Sequence, residues 1–466
     1  MTQNVSVIGL GKLGASMAGA FASRGFNVVG VDVNQRSIDL VNEGHAPVQE
    51  TDLEEYISQN KERIRATLSH EDAVLNSDIS FVIVPTPSDE KGSFSLQYAE
   101  WAFKEIGKAL AKKSTYHNVV LTSTVLPGAT RQGLIPILER ESGKKAGVDF
   151  GVCYSPEFIA LGSIIRDFLN PDFTLIGEFD ERSGAMLEDI YSRAMVNHQK
   201  SARMSLENAE LTKISVNTFV TTKITFANML AEICEKLPGG DVDVVSNALG
   251  LDARIGRKYL TGAIGYGGPC FPRDNVALTY IAKELGVEAE IASTTDGMNR
   301  SIAAKVADRL IPMVKPGSTV AVLGLSYKPF SHVTEESQGV YVARQLSKHG
   351  VRVVAYDPMS NEMSLDDLRR DFVVLDSIKE CLAQAEAVLI TTPDPAFKDL
   401  AAADFKNEWA EVLVFDFWRT LREQLKDAPG IKYVGIGTSE DDAANTARLK
   451  KLWWGNDGES NGASGK

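Results

Sequence analysis

The stretch Val5–Asp32, "VSVIGLGKLGASMAGAFASRGFNVVGVD", decides the fold of the first half of the chain. A β-rich run ends in Gly9, Leu10, Gly11, Lys12, Leu13 and Gly14, which together have G-x-G-x-x-G spacing. A helix-like segment follows, and a second β-rich run ends on Asp32. The glycine spacing alone is a weak signal. Between a strand and a helix, with an acidic residue about 20 positions further on, it reads as a dinucleotide-binding βαβ unit. The glycines permit a tight turn and let a pyrophosphate approach the helix N-terminus, where N–H groups and the helix dipole favour an anion. Asp32 would accept hydrogen bonds from ribose hydroxyls and repel a 2′-phosphate, which favours NAD over NADP. Taken by itself Asp32 is a solvated strand-end carboxylate, and Arg36, four residues on, could blunt the discrimination.

The same rhythm extends outward. Strands are expected at Val5–Leu10, Asn27–Asp32, Asp78–Pro87 and Asn118–Val125, and again at Thr319–Tyr327, Val351–Pro358, Ala385–Pro395 and Glu411–Phe417. Helix-length segments lie between them, the pattern of parallel sheets covered on both faces. Between the two sets, Ser205–Lys236 has neither glycine nor proline, and apolar residues recur every three or four positions (Leu206, Ala209, Ile214, Phe219, Ile224, Phe226, Leu230). It reads as one long helix, capped by Ser205 with Glu207 in its first turn. The fold class is therefore α/β: two Rossmann-like parallel-sheet domains joined by a long central helix and a helical dimerisation region. The expected division is 1–200, 201–300 and 315–450, with a disordered tail over 451–466 that is low in complexity from Gly455. "VPTP" (with Pro85 and Thr86) and "STVLPG" (with Thr124) end strands on the side where such sheets hold ligands, although each alone is an ordinary turn.

Bulk composition narrows the function. A length of 466 residues exceeds one core, and a net charge of −13 argues against a general nucleic-acid binder while leaving room for a phosphorylated small molecule. The N-terminus runs directly into a strand without a basic leader, and no uncharged apolar run reaches the length of a membrane span. The four cysteines (Cys153, Cys234, Cys270, Cys381) show neither CxxC spacing nor a ligand cluster. Neither a disulfide framework nor a metal site is expected, and a reducing, cytoplasmic setting fits.

One cysteine differs from the rest. In "GYGGPCFPRDN" (Gly265–Asn275), Cys270 follows a glycine strip and precedes Arg273 and a helix expected to start near Asp274. A helix N-terminus and a neighbouring cation both favour the thiolate. Gly267 and Gly268 would let a bulky substrate lie against bare backbone. Asp274 in isolation reads as an N-cap. On the long helix, Lys213 and Asn217 share a face four residues apart, either as a solvated edge or as an oxyanion clamp. Glu157, in "YSPEFIALG", reads in isolation as an acidic residue at a helix start. A nicotinamide cofactor together with a nucleophilic thiol allows an aldehyde to be trapped, oxidised to a thioester and hydrolysed.

In order and spacing, "GLGKLG", "VPTP", "STVLPG", "SPEF", "LTKISVNTFVTTKITFAN", "GYGGPCFPRD", "GLSYKP" and "DFWR" resemble the nucleotide-sugar 6-dehydrogenases, typified by UDP-glucose and GDP-mannose dehydrogenases. The resemblance implies oxidation of a sugar C6 alcohol to a carboxylate with two NAD and one water. It makes Cys270 the nucleophile and Lys213 the oxyanion partner. Asn217 would help to hold sugar and water, and Asp274 would orient or activate the hydrolytic water. Thr124 and Glu157 would handle a water or proton in the first oxidation. It places Gly9, Gly11, Lys12, Leu13, Gly14, Asp32, Pro85, Thr86, Thr124 and Arg273 at the cofactor. Glu157, Phe158, Lys213, Asn217, Tyr259, Gly267, Lys328 and Arg419 fall at the donor, with Arg254 entering a neighbouring protomer's site. The resemblance also implies a homodimer or higher homo-oligomer about the long helix. Two positions depart from the family pattern: Leu161, where a second glutamate is common, and Glu335 in "SHVTEES", where an arginine that helps to hold NAD is common.

UDP-glucose is the expected donor, with a UDP-N-acetylhexosamine or GDP-mannose as alternatives. A two-electron hydroxyacid or 6-phosphogluconate-type dehydrogenase would share the cofactor domain but have no use for Cys270. A binding protein that had lost its activity would show no turnover.

Overall fold

The structure, a computed structural model, describes residues 4–159, 161–197 and 199–454. The expected tail from 455 onward lies outside them, whereas 451–454, expected to be disordered, close a helix, Asp442–Trp454. The chain packs as two compact units. One comprises Met1–Val216 with Ala277–Glu288, the other Asn217–Val276 with Ala289–Lys466. The region expected over 201–300 therefore contributes to both.

The first unit is built on an eight-stranded sheet: β1 (Asn4–Ile8), β2 (Asn27–Val31), β3 (Ile64–Thr67), β4 (Ile79–Val82), β5 (Asn118–Leu121), β6 (Gly151–Tyr154), β7 (Thr174–Glu178) and β8 (Ser201–Ser205). Their spatial order is β3-β2-β1-β4-β5-β6-β7-β8, and β7 runs antiparallel to β6. The order reverses between β1 and β4, which places the ligand crevice of an open α/β sheet beyond their C-terminal ends. Val5, Val7, Ile79, Phe81, Val119 and Val120 are all fully buried, as expected for parallel strands covered on both faces.

The second unit has a six-stranded sheet: β9 (Thr319–Leu323), β10 (Arg352–Tyr356), β11 (Val373–Val374), β12 (Ala387–Ile390), β13 (Val412–Asp416) and β14 (Ile431–Gly435), in the order β11-β10-β9-β12-β13-β14. That is the order of the first six strands over again, with the reversal between β9 and β12. A carboxylate anchor is repeated too. Asp32 Oδ2 accepts the Leu10 N–H at 2.8 Å, and Asp357 Oδ2 accepts the Leu325 N–H at 2.7 Å. The two sheets diverge just after their first strands. In the first unit a helix (Lys12–Ser23) starts at once, whereas in the second the helix Gln338–Lys348 starts only after a long loop.

The long helix runs from Leu206 to Cys234, 29 residues. Glu210 is fully buried on it and accepts the backbone N–H groups of Gly128 (2.6 Å) and Thr130 (2.8 Å), fixing the loop that follows β5. Farther along, Phe219, Phe226 and Ile233 are 68%, 46% and 47% exposed. Their seven-residue spacing puts them in one outward stripe.

Candidate functional site

In the first unit the chain turns sharply where β1 meets its helix. Gly9 has φ +99, and a Cβ there would collide with the Ile83 carbonyl; one at Gly14 would collide with the Gly9 carbonyl. Gly11 faces open space and caps the helix Lys12–Ser23 without a side-chain hydrogen bond, and no acidic residue occupies that helix's first turn. This cradle of backbone donors is suited to a pyrophosphate. Asp32 is held from both sides, by Leu10 N–H on Oδ2 and by Asn34 N–H on Oδ1 at 2.9 Å, so its carboxylate has a fixed aim. Beyond β4 and β5 the two neighbouring loops are tied together: the Thr86 hydroxyl donates to Thr124 O (2.7 Å) and the Ser123 hydroxyl to Val84 O (2.7 Å).

The same unit holds Glu157, Phe158 and Lys213 together. Glu157 follows β6 in a loop, and Lys213 is buried on the long helix. The Lys213 ammonium donates to Glu157 O at 2.7 Å and lies 4.5 Å above the Phe158 ring. Burial pushes the Glu157 carboxyl up to about 7, and the charge of Lys213 opposes that rise. A carboxyl poised near neutrality is suited to proton transfer. Turnover should therefore fall on the acid side of about pH 7 as Glu157 takes up a proton, and Glu157→Gln should flatten that limb. A kcat/KM profile in which the limb survives the substitution would contradict this role.

In the second unit Cys270 is exposed, whereas Cys153, Cys234 and Cys381 are buried. Burial pushes the Cys153 and Cys381 thiols up to about 12, which keeps them protonated and inert. Cys270 immediately precedes the helix Phe271–Glu284, and its carbonyl accepts the Asp274 N–H at 2.9 Å. Asp274 is thus in the first turn of the helix and not its N-cap, because the helix begins three residues earlier than expected. Its carboxylate is buried, accepts the Asn217 amide at 2.6 Å and lies 3.6 Å from Arg273. Tyr259, in the left-handed region at φ 63, packs edge-on to Phe271.

Sequence models of the UDP-glucose/GDP-mannose dehydrogenase family match three consecutive parts of the chain: the NAD-binding domain at 3–195, the central domain at 207–301 and the UDP-binding domain at 321–423. The chain belongs to this family. It is 34% identical over 410 residues to a GDP-mannose 6-dehydrogenase of Pseudomonas aeruginosa (85% of this chain, 93% of the relative). It is also 34% identical over 428 residues to a UDP-glucose 6-dehydrogenase of Haloferax volcanii (90% and 98%). Among solved structures, a UDP-glucose dehydrogenase from Pyrobaculum islandicum superposes with a TM-score of 0.83 at 33% identity, covering 94% of this chain and 98% of that one. A ternary complex of a GDP-mannose dehydrogenase from Pseudomonas aeruginosa gives 0.52 at 32% identity, with 92% and 99% covered.

The residues fit the dinucleotide of this NAD-dependent family. The open face at Gly11, the helix start behind it and the braced Asp32 provide for pyrophosphate and ribose. Two features expected at the donor have partners within the chain. Arg419 does not project as a spare cation. It is buried and forms a two-pronged ion pair with Asp243 (2.7 and 2.8 Å), and its remaining nitrogen donates to the carbonyls of Phe417 and Ile436. Gly267 and Gly268 do not leave bare backbone on their side-chain face. A Cβ on Gly267 would collide with the Glu336 carbonyl, and one on Gly268 would lie 2.7 Å from the Tyr327 ring. Lys328 is partly buried beside that ring, 5.7 Å from its centre, and Arg254 is exposed in an ion pair with Asp252. Of the two departures, Leu161 is partly exposed, and Glu335 is exposed and uses its carbonyl to accept the Gly268 N–H at 3.0 Å. Glu210 and Tyr327 were not singled out from sequence. A carboxylate on an otherwise apolar helix face and the aromatic residue of "GLSYKP" were the available signals.

Proposed function

We propose that the chain carries out a four-electron oxidation of a nucleotide-sugar C6 hydroxyl to the uronic acid, converting UDP-glucose to UDP-glucuronate, through a covalent intermediate on Cys270. The observation that carries this reading is an exposed thiol at a helix start, with a buried Asp274 one turn inside held by Asn217. NAD, when bound, accepts a hydride from C6 at each of the two oxidations. Glu157 takes the hydroxyl proton by way of a water near Thr124. The Cys270 thiolate then adds to the aldehyde carbon, and the Lys213 ammonium stabilises the oxygen anion of the thiohemiacetal. After the second oxidation the C6–S bond is a thioester. Asp274 and Asn217 orient a water onto its carbonyl, and breaking the C–S bond releases the carboxylate and returns the thiolate.

The choice of UDP-glucose is supported by the backbone. The UDP-glucose enzyme superposes at 0.83 with 33% identity, against 0.52 with 32% for the GDP-mannose enzyme and 0.78 with 25% for a UDP-D-ManNAc dehydrogenase from Pyrococcus horikoshii. GDP-mannose is the second reading, since the sequence is equally close to enzymes of that name. Steady-state assays with UDP-glucose, UDP-N-acetylhexosamines and GDP-mannose test the choice. UDP-glucose should exceed the others in kcat/KM by at least about tenfold, a margin of ~1.4 kcal/mol. A GDP-mannose preference would reverse the assignment.

The proposed assembly is a homodimer about the long helix, supported by the outward stripe of Phe219, Phe226 and Ile233. Arg254 would then serve the partner's donor. Sedimentation should give twice the 50.6 kDa chain mass for the wild type and a single chain for Phe226→Asp. A wild-type monomer, or a variant that stays paired, would refute this face.

A further inference from the structure

The loop between β9 and the helix Gln338–Lys348 departs from the first sheet's pattern and makes contacts that the proposed reaction does not use. It carries two non-glycine residues in the left-handed region, Phe330 (φ 57) and Glu336 (φ 52). Such backbone persists only where its surroundings enforce it, and it clusters at working sites. The loop is closed on itself by Tyr327 N–H to Val333 O (3.1 Å). Its inner face lies against the strip that leads to Cys270. Glu335 O accepts the Gly268 N–H at 3.0 Å, and the Glu336 carbonyl occupies the position a Gly267 side chain would need. The Tyr327 ring stands where a Gly268 side chain would project, its Cδ2 and Cε2 both 2.7 Å from that point and Cζ 3.1 Å.

The other side of the strip is equally fixed. Asn299 bonds the backbone of Tyr266 twice, N–H to Oδ1 at 2.9 Å and Nδ2 to O at 3.0 Å, and Gln338 donates to the same carbonyl at 3.2 Å. Tyr327 also senses the thiol. Burial pushes its phenol up to about 12, and negative charge at Cys270 adds to the rise.

We infer that Tyr327 is a positioning residue for Cys270: its ring braces the Gly267–Gly268 backbone and so sets where the thiol stands at the start of its helix. The glycines are therefore required by the protein's own packing. A side chain at either position would dislodge the brace, and loss of the ring would release the strip. This rests on the reading of Cys270 as the nucleophile.

The test compares Tyr327→Phe, Tyr327→Leu and Tyr327→Ala in the full chain. The readouts are the pH dependence of iodoacetamide labelling at Cys270, located by peptide mass spectrometry, and kcat and KM for UDP-glucose. Thermal melts and NAD binding identify any variant that has not folded. Tyr327→Ala should lower kcat at least about tenfold with a smaller change in KM, and should shift the midpoint of the labelling profile. Tyr327→Leu should fall between, and Tyr327→Phe should restore both readouts to within about twofold of the wild type. A folded Tyr327→Ala or Tyr327→Leu with an unchanged labelling profile, or with a loss confined to KM, overturns the inference. If labelling of wild-type Cys270 leaves turnover intact, the thiol reading fails instead, and the two failures are thereby told apart.

Discussion

Cys270→Ser should reduce uronate formation by at least about a thousandfold while leaving NAD affinity within about twofold of the wild type. A serine hydroxyl at the same helix start is not ionised at neutral pH, so the aldehyde has no effective nucleophile and the second oxidation has no thiohemiacetal to act on. The cofactor cradle lies in the other compact unit, on Gly9–Gly14 and Asp32, and makes no use of the sulfur. Equilibrium NAD titration beside product analysis by chromatography checks both halves of the expectation. Steady uronate production by the serine variant would remove the thiol from the mechanism. The three other cysteines offer no substitute, since each is buried.

Lys213→Ala should lower kcat by about 100- to 1000-fold, ~3–4 kcal/mol of transition-state stabilisation, with a much smaller effect on KM. The ammonium is buried and held at 2.7 Å by Glu157 O, so its direction is fixed before the oxygen anion develops, which is the condition for a large electrostatic contribution. The substitution has a second consequence. The charge of Lys213 restrains the rise of the Glu157 carboxyl, which burial pushes to about 7. Without that charge the carboxyl rises further, because its ionised form loses a stabilising cation. The acid limb of the residual activity should therefore move to higher pH than in the wild type. A loss confined to KM would contradict the oxyanion role, and an unmoved acid limb would contradict the coupling to Glu157.

Much of the fold was legible in the chain because its strands are continuous apolar runs. All eight anticipated runs contain a strand, but the strands stop short of the expected ends. "DISFVIVPTP" is strand only over Ile79–Val82, because the residues beyond leave the ladder to form the loop that Ser123 and Thr86 tie down. β3, β6, β7, β8, β11 and β14 were not anticipated. β7 runs antiparallel to β6, so the rhythm of a parallel repeat did not mark it. The long helix was located within two residues, but its apolar residues are spread around its circumference among polar ones such as Asn208, Lys213, Asn217 and Lys223. Periodicity therefore gave no warning that Phe219 and Phe226 face outward while Ile214 is buried.

The candidate site was legible where its geometry depends on local sequence: the glycine turn, the strand-end aspartate, and a thiol ahead of a helix. It was illegible where a side chain's partner is remote. Glu210 meets Gly128 and Thr130 across 82 and 80 positions, and Arg419 meets Asp243 across 176. Tyr327 covers Gly268 only because two distant loops converge in the second unit. The glycine strip itself was visible, but which chemical group filled its empty face required the fold.

The most direct measurement counts NADH formed per sugar consumed when a limiting amount of UDP-glucose is exhausted with NAD in excess. A thioester route through Cys270 requires two NADH for each uronate. One NADH per sugar, with aldehyde or ketone as the final product, would contradict it.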